Sequence, residues 1–269
     1  LERDATLFLD ENIDQGKMSK YSFSSRKQPE YMCHRMVCCN TCDLVYVSHP
    51  PEQSELAEAY HAADYDSPEE ADDAADAYIR AMSPTLAMIK DKGRALDIGS
   101  GTGILLDLLK ARGFSELVGV EPSPAAIAAA PSYRRDWLIE GIFSEELFEP
   151  ASFDLICCFM TMEHVADPKS IAIAARKLLR PGGAFVIVTH DYRGVINKLL
   201  GKRSPIIDIE HMQLFSKNSI FELFKRCEFE DILVSPFKNR YSLKYWIRLT
   251  PVPVTLKRAI LKIVKYVGL

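Results

Sequence analysis

Short apolar runs recur through the middle of the chain and alternate with stretches whose apolar residues repeat at helical spacing. The runs at 95–98, 117–121, 137–139, 153–159 and 184–189 read as strands, the first of them buried on both faces. Between them, residues 104–109, 124–130 and 171–179 carry helical patterning, with Ser123 placed to cap the second of these helices. Arg180-Pro-Gly-Gly183 reads as a turn ahead of the last strand. Repeated strand–helix units of this length predict an α/β fold on a doubly wound, mostly parallel sheet.

The flanks are patterned differently. Residues 1–30 are polar and without strong period, apart from Leu7-Phe8-Leu9. Pro50-Pro51 is a breaker, after which 52–60 reads as a helix and 68–82 as an acidic, alanine-rich segment. The acids suit a solvated helix face; alternatively Tyr60, Tyr65 and Tyr78 close over a bound cofactor. Residues 251–269 read as an amphipathic basic helix with Lys257, Arg258, Lys262 and Lys265, packed on the domain or laid on an anionic membrane surface. The expected organisation is a small ribbon-like, cysteine-containing appendage (1–50), a helical cofactor lid (51–92), and a core (93–269) with a pocket insert around 190–220.

Composition narrows this picture. A chain of 269 residues with 48% hydrophobic content supports one large domain plus an appendage. A net charge of −4 offers no global basic field for nucleic acid. No apolar run reaches membrane-span length, and no signal peptide is visible. Four of the seven cysteines fall between Cys33 and Cys42, while Cys157, Cys158 and Cys227 sit in apolar runs. That usage suits a reducing cytoplasm and a metal site better than a disulfide framework. Cys39-x-x-Cys42 is half of a ribbon-type zinc site; Cys33, Cys38 and His34 do not supply a regular second half.

The chemistry gathers at the end of the first core strand, Asp97-x-Gly99-x-Gly101-x-Gly103. Glycines there allow a sharp turn and a close ligand, at the sheet edge where open α/β sheets bind. The dinucleotide fingerprint G-x-G-x-x-G wants a small residue where this chain has Ile104. Asp97 would repel a pyrophosphate but suits a cation bearing an α-amino group and a sulfonium, which favours S-adenosylmethionine over NAD. Glu121 ends the second strand, where a carboxylate accepts both ribose hydroxyls; Pro122 and Ser123 add no second acid.

Together, Asp97-x-Gly-x-Gly-x-Gly103, Val120-Glu121-Pro122, Ser152-Phe153-Asp154, Glu163-His164-Val165 and Leu179-Arg-Pro-Gly-Gly183 resemble the class I S-adenosylmethionine-dependent methyltransferases, most of all the ubiquinone-pathway and sugar-methylating branch. The resemblance spans about residues 50 to 230 and implies a Rossmann-like core. The cofactor site expected from residues and resemblance together is Tyr65, Asp97, Gly99, Gly101, Gly103, Glu121, Pro122, Ile142, Phe143 and Phe159. Many members hold adenine with an acid after the glycine matching Gly141; here Ile142-Phe143 leaves backbone groups and apolar packing. Some members carry an N-terminal zinc ribbon whose last half looks like Cys39-x-x-Cys42-x-Leu44-Val-Tyr46, with the first pair expected ahead of Leu7. The usual antiparallel seventh strand is not obvious after 229–234, and 241–249 supplies it or is helix.

Glu210-His211 resembles the Glu-His pair of sugar-type members, with Asp208 where a tyrosine often stands. His211 is the expected general base, oriented by Glu210 or Asp208, with His190 and then His164 as competitors. The expected activity is O-methylation of a small polar acceptor, a sugar or glycan-linked unit first and a phenolic or quinone-precursor acceptor next. A non-catalytic cofactor-binding module and a nicotinamide oxidoreductase are the competing readings. Phe159-Met-Thr-Met-Glu-His164 lacks the Asn/Asp-Pro-Pro-aromatic run that holds a flipped base, which argues against a nucleic-acid substrate.

Overall fold

The computed structural model describes residues 4–19, 22–23, 30–63, 68–237, 243–250 and 252–266. The N-terminal strands are β1 (Ala5–Leu9), β2 (Met36–Cys39) and β3 (Val45–Val47), followed by helices α1 (Gln53–Ala62), α2 (Pro68–Ala81) and α3 (Ser83–Met88). The strand–helix alternation then runs β4 (Arg94–Ile98), α4 (Ile104–Lys110), β5 (Glu116–Glu121), α5 (Pro124–Ala129), α6 (Ser132–Arg135), β6 (Leu138–Glu140), β7 (Phe153–Phe159), α7 (Pro168–Leu178) and β8 (Leu179–Val188). After it come α8 (Val195–Leu200), β9 (Gln213–Leu214), α9 (Lys217–Arg226), α10 (Leu243–Leu249) and α11 (Val254–Tyr266).

The five core strands form one parallel sheet in the order β6-β5-β4-β7-β8, the doubly wound arrangement that the apolar runs predict. Side chains alternate across it, as a two-residue period requires. Ala95, Leu155 and Cys157 face a layer containing Leu105, Leu106 and Leu109 of α4 and Tyr78 and Ile79 of α2. Leu96, Ile156 and Cys158 face the opposite layer, with Ala175 and Leu178 of α7 and Ile220 and Phe224 of α9. Every residue of β7 is buried, so Leu155→Ala would cost about 2–5 kcal/mol. Cys157, Cys158 and Cys227 are buried, as their apolar surroundings imply.

Arg180-Pro-Gly-Gly183 does not separate helix from strand. Leu179 already pairs with Phe153 and Ala184 with Leu155, so these residues bulge within β8, and Gly182 takes φ +82. The bulge brings the Arg180 guanidinium onto Asp154, which a simple turn would not require.

A second, antiparallel sheet runs β1-β2-β3-β9. Its last strand comes from the far end of the chain, pairing Val45 with Leu214 and Tyr46 with Gln213. Met36, Val45, Val47 and Leu56 accordingly share a core with Ile206, Ile207, Met212 and Leu214. The N-terminal strands thus buttress the 190–220 insert instead of standing apart. Residues 243–249 are helix, and among the described residues no strand follows β9, so the central sheet ends at β8. No helix among the described residues is long and apolar enough to cross a membrane.

Candidate active site

The carboxyl ends of β4, β5, β7 and β8 open onto a cavity of about 1030 Å³. Gly99 (φ +73) makes the turn out of β4, and a Cβ there would strike the Thr161 side chain. Gly101 (φ +55) instead faces open space, with nothing within 4 Å of where a Cβ would stand. Gly103 caps α4 in the left-handed conformation. Glu121 is buried and fixed by two amides: Gly101 N–H donates to Oε2 at 2.7 Å and Ser123 N–H to Oε1 at 2.9 Å. Asp97 is buried beside it, and burial together with the Glu121 charge pushes its carboxyl up to about 8. No cation among the described residues offsets either acid. The buried Ser100 hydroxyl on the same wall has no hydrogen-bond partner among the described residues. These groups fit an ammonium and a ribose diol, the two polar ends that S-adenosylmethionine would present.

Pro122, Ile142, Phe143 and Phe159 line the same cavity, with Tyr78 packed edge-on to Phe159 at 4.9 Å. Tyr65 lies outside the described residues. Tyr60 and Tyr78 do reach the cavity, from α1 and α2.

The other end of the cavity gathers His164, His190 and His211. Their rings lie close, His211 being 4.8 Å from His164 and 5.7 Å from His190 between centroids. A carbonyl or carboxylate oxygen can only accept, so the partners assign the tautomers. The Nδ1–H of His211 donates to the Ile206 carbonyl (2.8 Å), that of His164 to the Glu210 carbonyl (3.1 Å), and that of His190 to Glu163 Oε1 (3.1 Å). Each ring therefore keeps its Nε2 lone pair. Burial lowers the pKa of His211 and His164 and keeps both neutral near pH 7.

Glu163 is wholly buried and also accepts the His190 backbone N–H at 2.8 Å. Burial pushes its carboxyl up, but the hydrogen bond and charge of His190, with the charges of His164 and His211, outweigh this and hold it at about 2. The Glu163 carbonyl accepts from Met212 N (2.7 Å) and Gln213 N (3.2 Å), which ties the His211 loop to the end of β7. The sequence paired His211 with Glu210 or Asp208. In the structure the Ile206 carbonyl holds the His211 ring, Glu210 Oε2 stands 3.9 Å from His164 Nδ1, and Asp208 accepts from Glu30 N.

Two residues of this cluster escape a linear reading. Tyr60, expected only near the cofactor, places its hydroxyl 2.9 Å from His164 Nδ1. Glu163 could have been found from its motif, Glu163-His164, but nothing local says that it serves His190 instead of its neighbour. His164, Glu210 and His211 each bring one ligand atom within 4.8 Å of one another. Donors around an ion at about 2.1 Å stand about 3.4 Å apart, so the cluster is wider than a closed metal shell.

Cys39 and Cys42 form the expected knuckle. Burial pushes the Cys39 thiol up, but amides of Cys42 and Thr41 and the Cys42 thiol outweigh it and lower its pKa. Asn218 and Tyr192 brace the knuckle through the Cys42 and Asp43 carbonyls. Among the described residues no third His, Cys, Asp or Glu joins the two thiols as a ligand set, so zinc finds no support there.

A family model described as a methyltransferase domain matches residues 69–234. The ubiquinone biosynthesis O-methyltransferase of Idiomarina loihiensis is 35% identical over 125 residues, covering 44% of this chain and 49% of the relative. That of Neisseria meningitidis is 38% identical over 97 residues, covering 34% and 41%. The chain thus spans about half the length of these relatives or less. Among solved structures, an S-adenosylmethionine-dependent methyltransferase from Thermotoga maritima matches with a TM-score of 0.43 and 22% identity, over 60% of this chain and 81% of that one. Phosphoethanolamine N-methyltransferase 2 of Haemonchus contortus, solved with S-adenosylmethionine, matches with a TM-score of 0.40 and 23% identity, over 60% and 42%. With a glycine turn, two buried acids and a family match over more than half its length, the chain belongs to the methyltransferase-domain family.

Proposed function

We propose that this protein transfers a methyl group from S-adenosylmethionine to a hydroxyl oxygen of a phenolic, quinone-precursor-like acceptor. One observation carries the reading: a single cavity joins two buried acids, with no offsetting cation among the described residues, to three histidines whose Nδ1 atoms are held by neighbouring oxygens. S-adenosylmethionine supplies a methyl group activated by its sulfonium. Asp97 would hold its α-amino group and Glu121 its ribose hydroxyls, with Ile142 and Phe143 against the adenine.

At the far end, the acceptor hydroxyl must lose its proton as the oxygen attacks. His190 suits this role best, because the buried Glu163 carboxylate accepts from its Nδ1–H and orients the ring. His211, the base favoured from sequence, is the next candidate. Its ring is oriented by a neutral carbonyl, and its histidine neighbours oppose protonation. Alignment of donor and acceptor in this cavity would supply much of the rate.

Two facts favour a phenolic acceptor over the sugar or glycan-linked unit. The similar O-methyltransferases are named for ubiquinone biosynthesis. Ile196, Leu200, Trp246 and Leu249 also give the cavity mouth an apolar lining that suits an aromatic body. The test is transfer of labelled methyl from S-adenosylmethionine to catechols, phenols, hexoses and nucleotide sugars. The expected product is a phenol ether. His190→Ala should lower the rate constant by roughly 10²–10⁴, with S-adenosylhomocysteine affinity near wild type. Transfer only to sugars, to nitrogen or to carbon would overturn the acceptor; tight NAD(H) binding without S-adenosylmethionine binding would overturn the reaction.

A further inference from the structure

The chain's charge is segregated in a way its net value of −4 hides. Residues 232–269 contain eight Lys and Arg and no Asp or Glu, leaving 25 basic against 37 acidic residues in the rest of the chain. A second stretch, 192–207, carries Arg193, Lys198, Lys202 and Arg203, again without an acid. The two meet at the cavity mouth, where Ile196 and Leu200 of α8 and Tyr245, Trp246 and Leu249 of α10 line the same opening.

That mouth is also where apolar side chains are left in water. On α8, Val195, Ile196 and Leu199 are 75%, 66% and 82% exposed, and their spacing puts them on one helix face. Leu243 and Trp246 of α10 are about half exposed. Lys198, Lys202 and Arg203 are exposed beside them. Large aliphatic side chains at this exposure are costly in a monomer, and they are grouped here, not scattered.

From these observations we propose that the face formed by α8 and α10 docks on an anionic lipid bilayer, with the cavity mouth against the membrane interface. Basic residues answer the negative headgroups, while the α8 aliphatics and Trp246 enter the boundary between headgroups and acyl chains. A nucleic acid would be served by the basic residues but not by the exposed aliphatics. The docking surface stands independently of the methyl-transfer reading, but it would give an acceptor with an apolar tail a path into the cavity without leaving the bilayer.

The test is cosedimentation with vesicles of equal parts phosphatidylcholine and phosphatidylglycerol, against vesicles of phosphatidylcholine alone. The bound fraction should rise at least about tenfold with the anionic lipid and fall as salt is raised. The double variant Val195→Ser/Leu199→Ser and the charge variant Lys198→Glu/Lys202→Glu should each lose most of this binding. Their S-adenosylhomocysteine affinity, measured without vesicles, reports separately on the fold and on the cofactor site. Equal binding of wild type and both variants would overturn the proposal, as would binding indifferent to lipid charge. Retention of duplex DNA with no vesicle binding would also overturn it.

Discussion

Asp97 and Asp154 stand on adjacent strands of one sheet, both buried, and their surroundings are opposite. Asp154, near the start of β7, receives Arg180 Nη1 on both oxygens (2.9 and 3.1 Å) and the Arg94 N–H at 2.8 Å. Asp97, near the end of β4, faces Glu121 and has no offsetting cation among the described residues. A buried carboxylate inside an ion pair is part of the scaffold; one without a counter-charge is a standing cost that a bound cation can relieve. Strand direction explains the split, since a parallel sheet collects strand starts on one edge and strand ends, where ligands bind, on the other.

Exchanging each acid for its amide should separate the two roles most sharply. Asp97→Asn should weaken S-adenosylmethionine binding by about 100-fold or more, through loss of a buried charge pair, as read by calorimetry. Asp154→Asn should leave affinity near wild type but lower the melting temperature by several degrees, because one of the two oxygens that accept from Arg180 and the Arg94 amide becomes an NH2 donor and the charge facing Arg180 is lost. Equal loss of affinity in both variants would break the comparison.

Glu121→Ala comes next. Removing a carboxylate already held by two amides should cost about 1.5–3 kcal/mol of S-adenosylhomocysteine affinity, roughly 10- to 150-fold. Unchanged affinity would detach Glu121 from the ribose.

The glycine turn offers a smaller test of scaffold against site. Gly99→Ala should destabilise the fold by about 1–3 kcal/mol, because its Cβ meets Thr161 and φ is positive. Gly101→Val meets no neighbour among the described residues, so beyond the backbone strain of its φ of +55 it should act on cofactor binding. Denaturant midpoints and calorimetry on both variants decide it.

The pH dependence of the unliganded protein offers a further test. Asp97 binds its proton more tightly folded, at about 8, than unfolded, at 3.8. The folded state then holds the extra proton between those values, so Asp97's contribution makes stability fall as pH rises from about 4 to 8. Asp97→Asn should remove that slope and raise the unliganded melting temperature by a few degrees at pH 8. A slope unchanged in the variant would assign it to other groups.

Much of this was legible before the structure. Asp97, Glu121 and the three glycines are identified by local spacing; Asp97, Glu121, Gly99 and Gly101 line the cavity, whereas Gly103 caps α4 and is not part of that lining. The histidines were legible as residues but not as a system. His190 depends on Glu163, 27 residues away, and His164 touches Tyr60, 104 residues away. Sequence neighbours paired Glu210 with His211, whereas the backbone turns the His211 ring toward Ile206.

The sequence by itself determined the strand–helix alternation, the parallel sheet and the acid-lined glycine turn. Apolar period, glycine spacing and strand ends act over a few residues and survive translation along a line. Only the tertiary structure decided that 180–183 bulges within β8, that residues 243–249 coil into a helix, and that β9 crosses to the N-terminal sheet. It alone decided which histidine receives a buried carboxylate. These outcomes depend on which distant surfaces must cover one another, and burial of that kind leaves no period in the sequence.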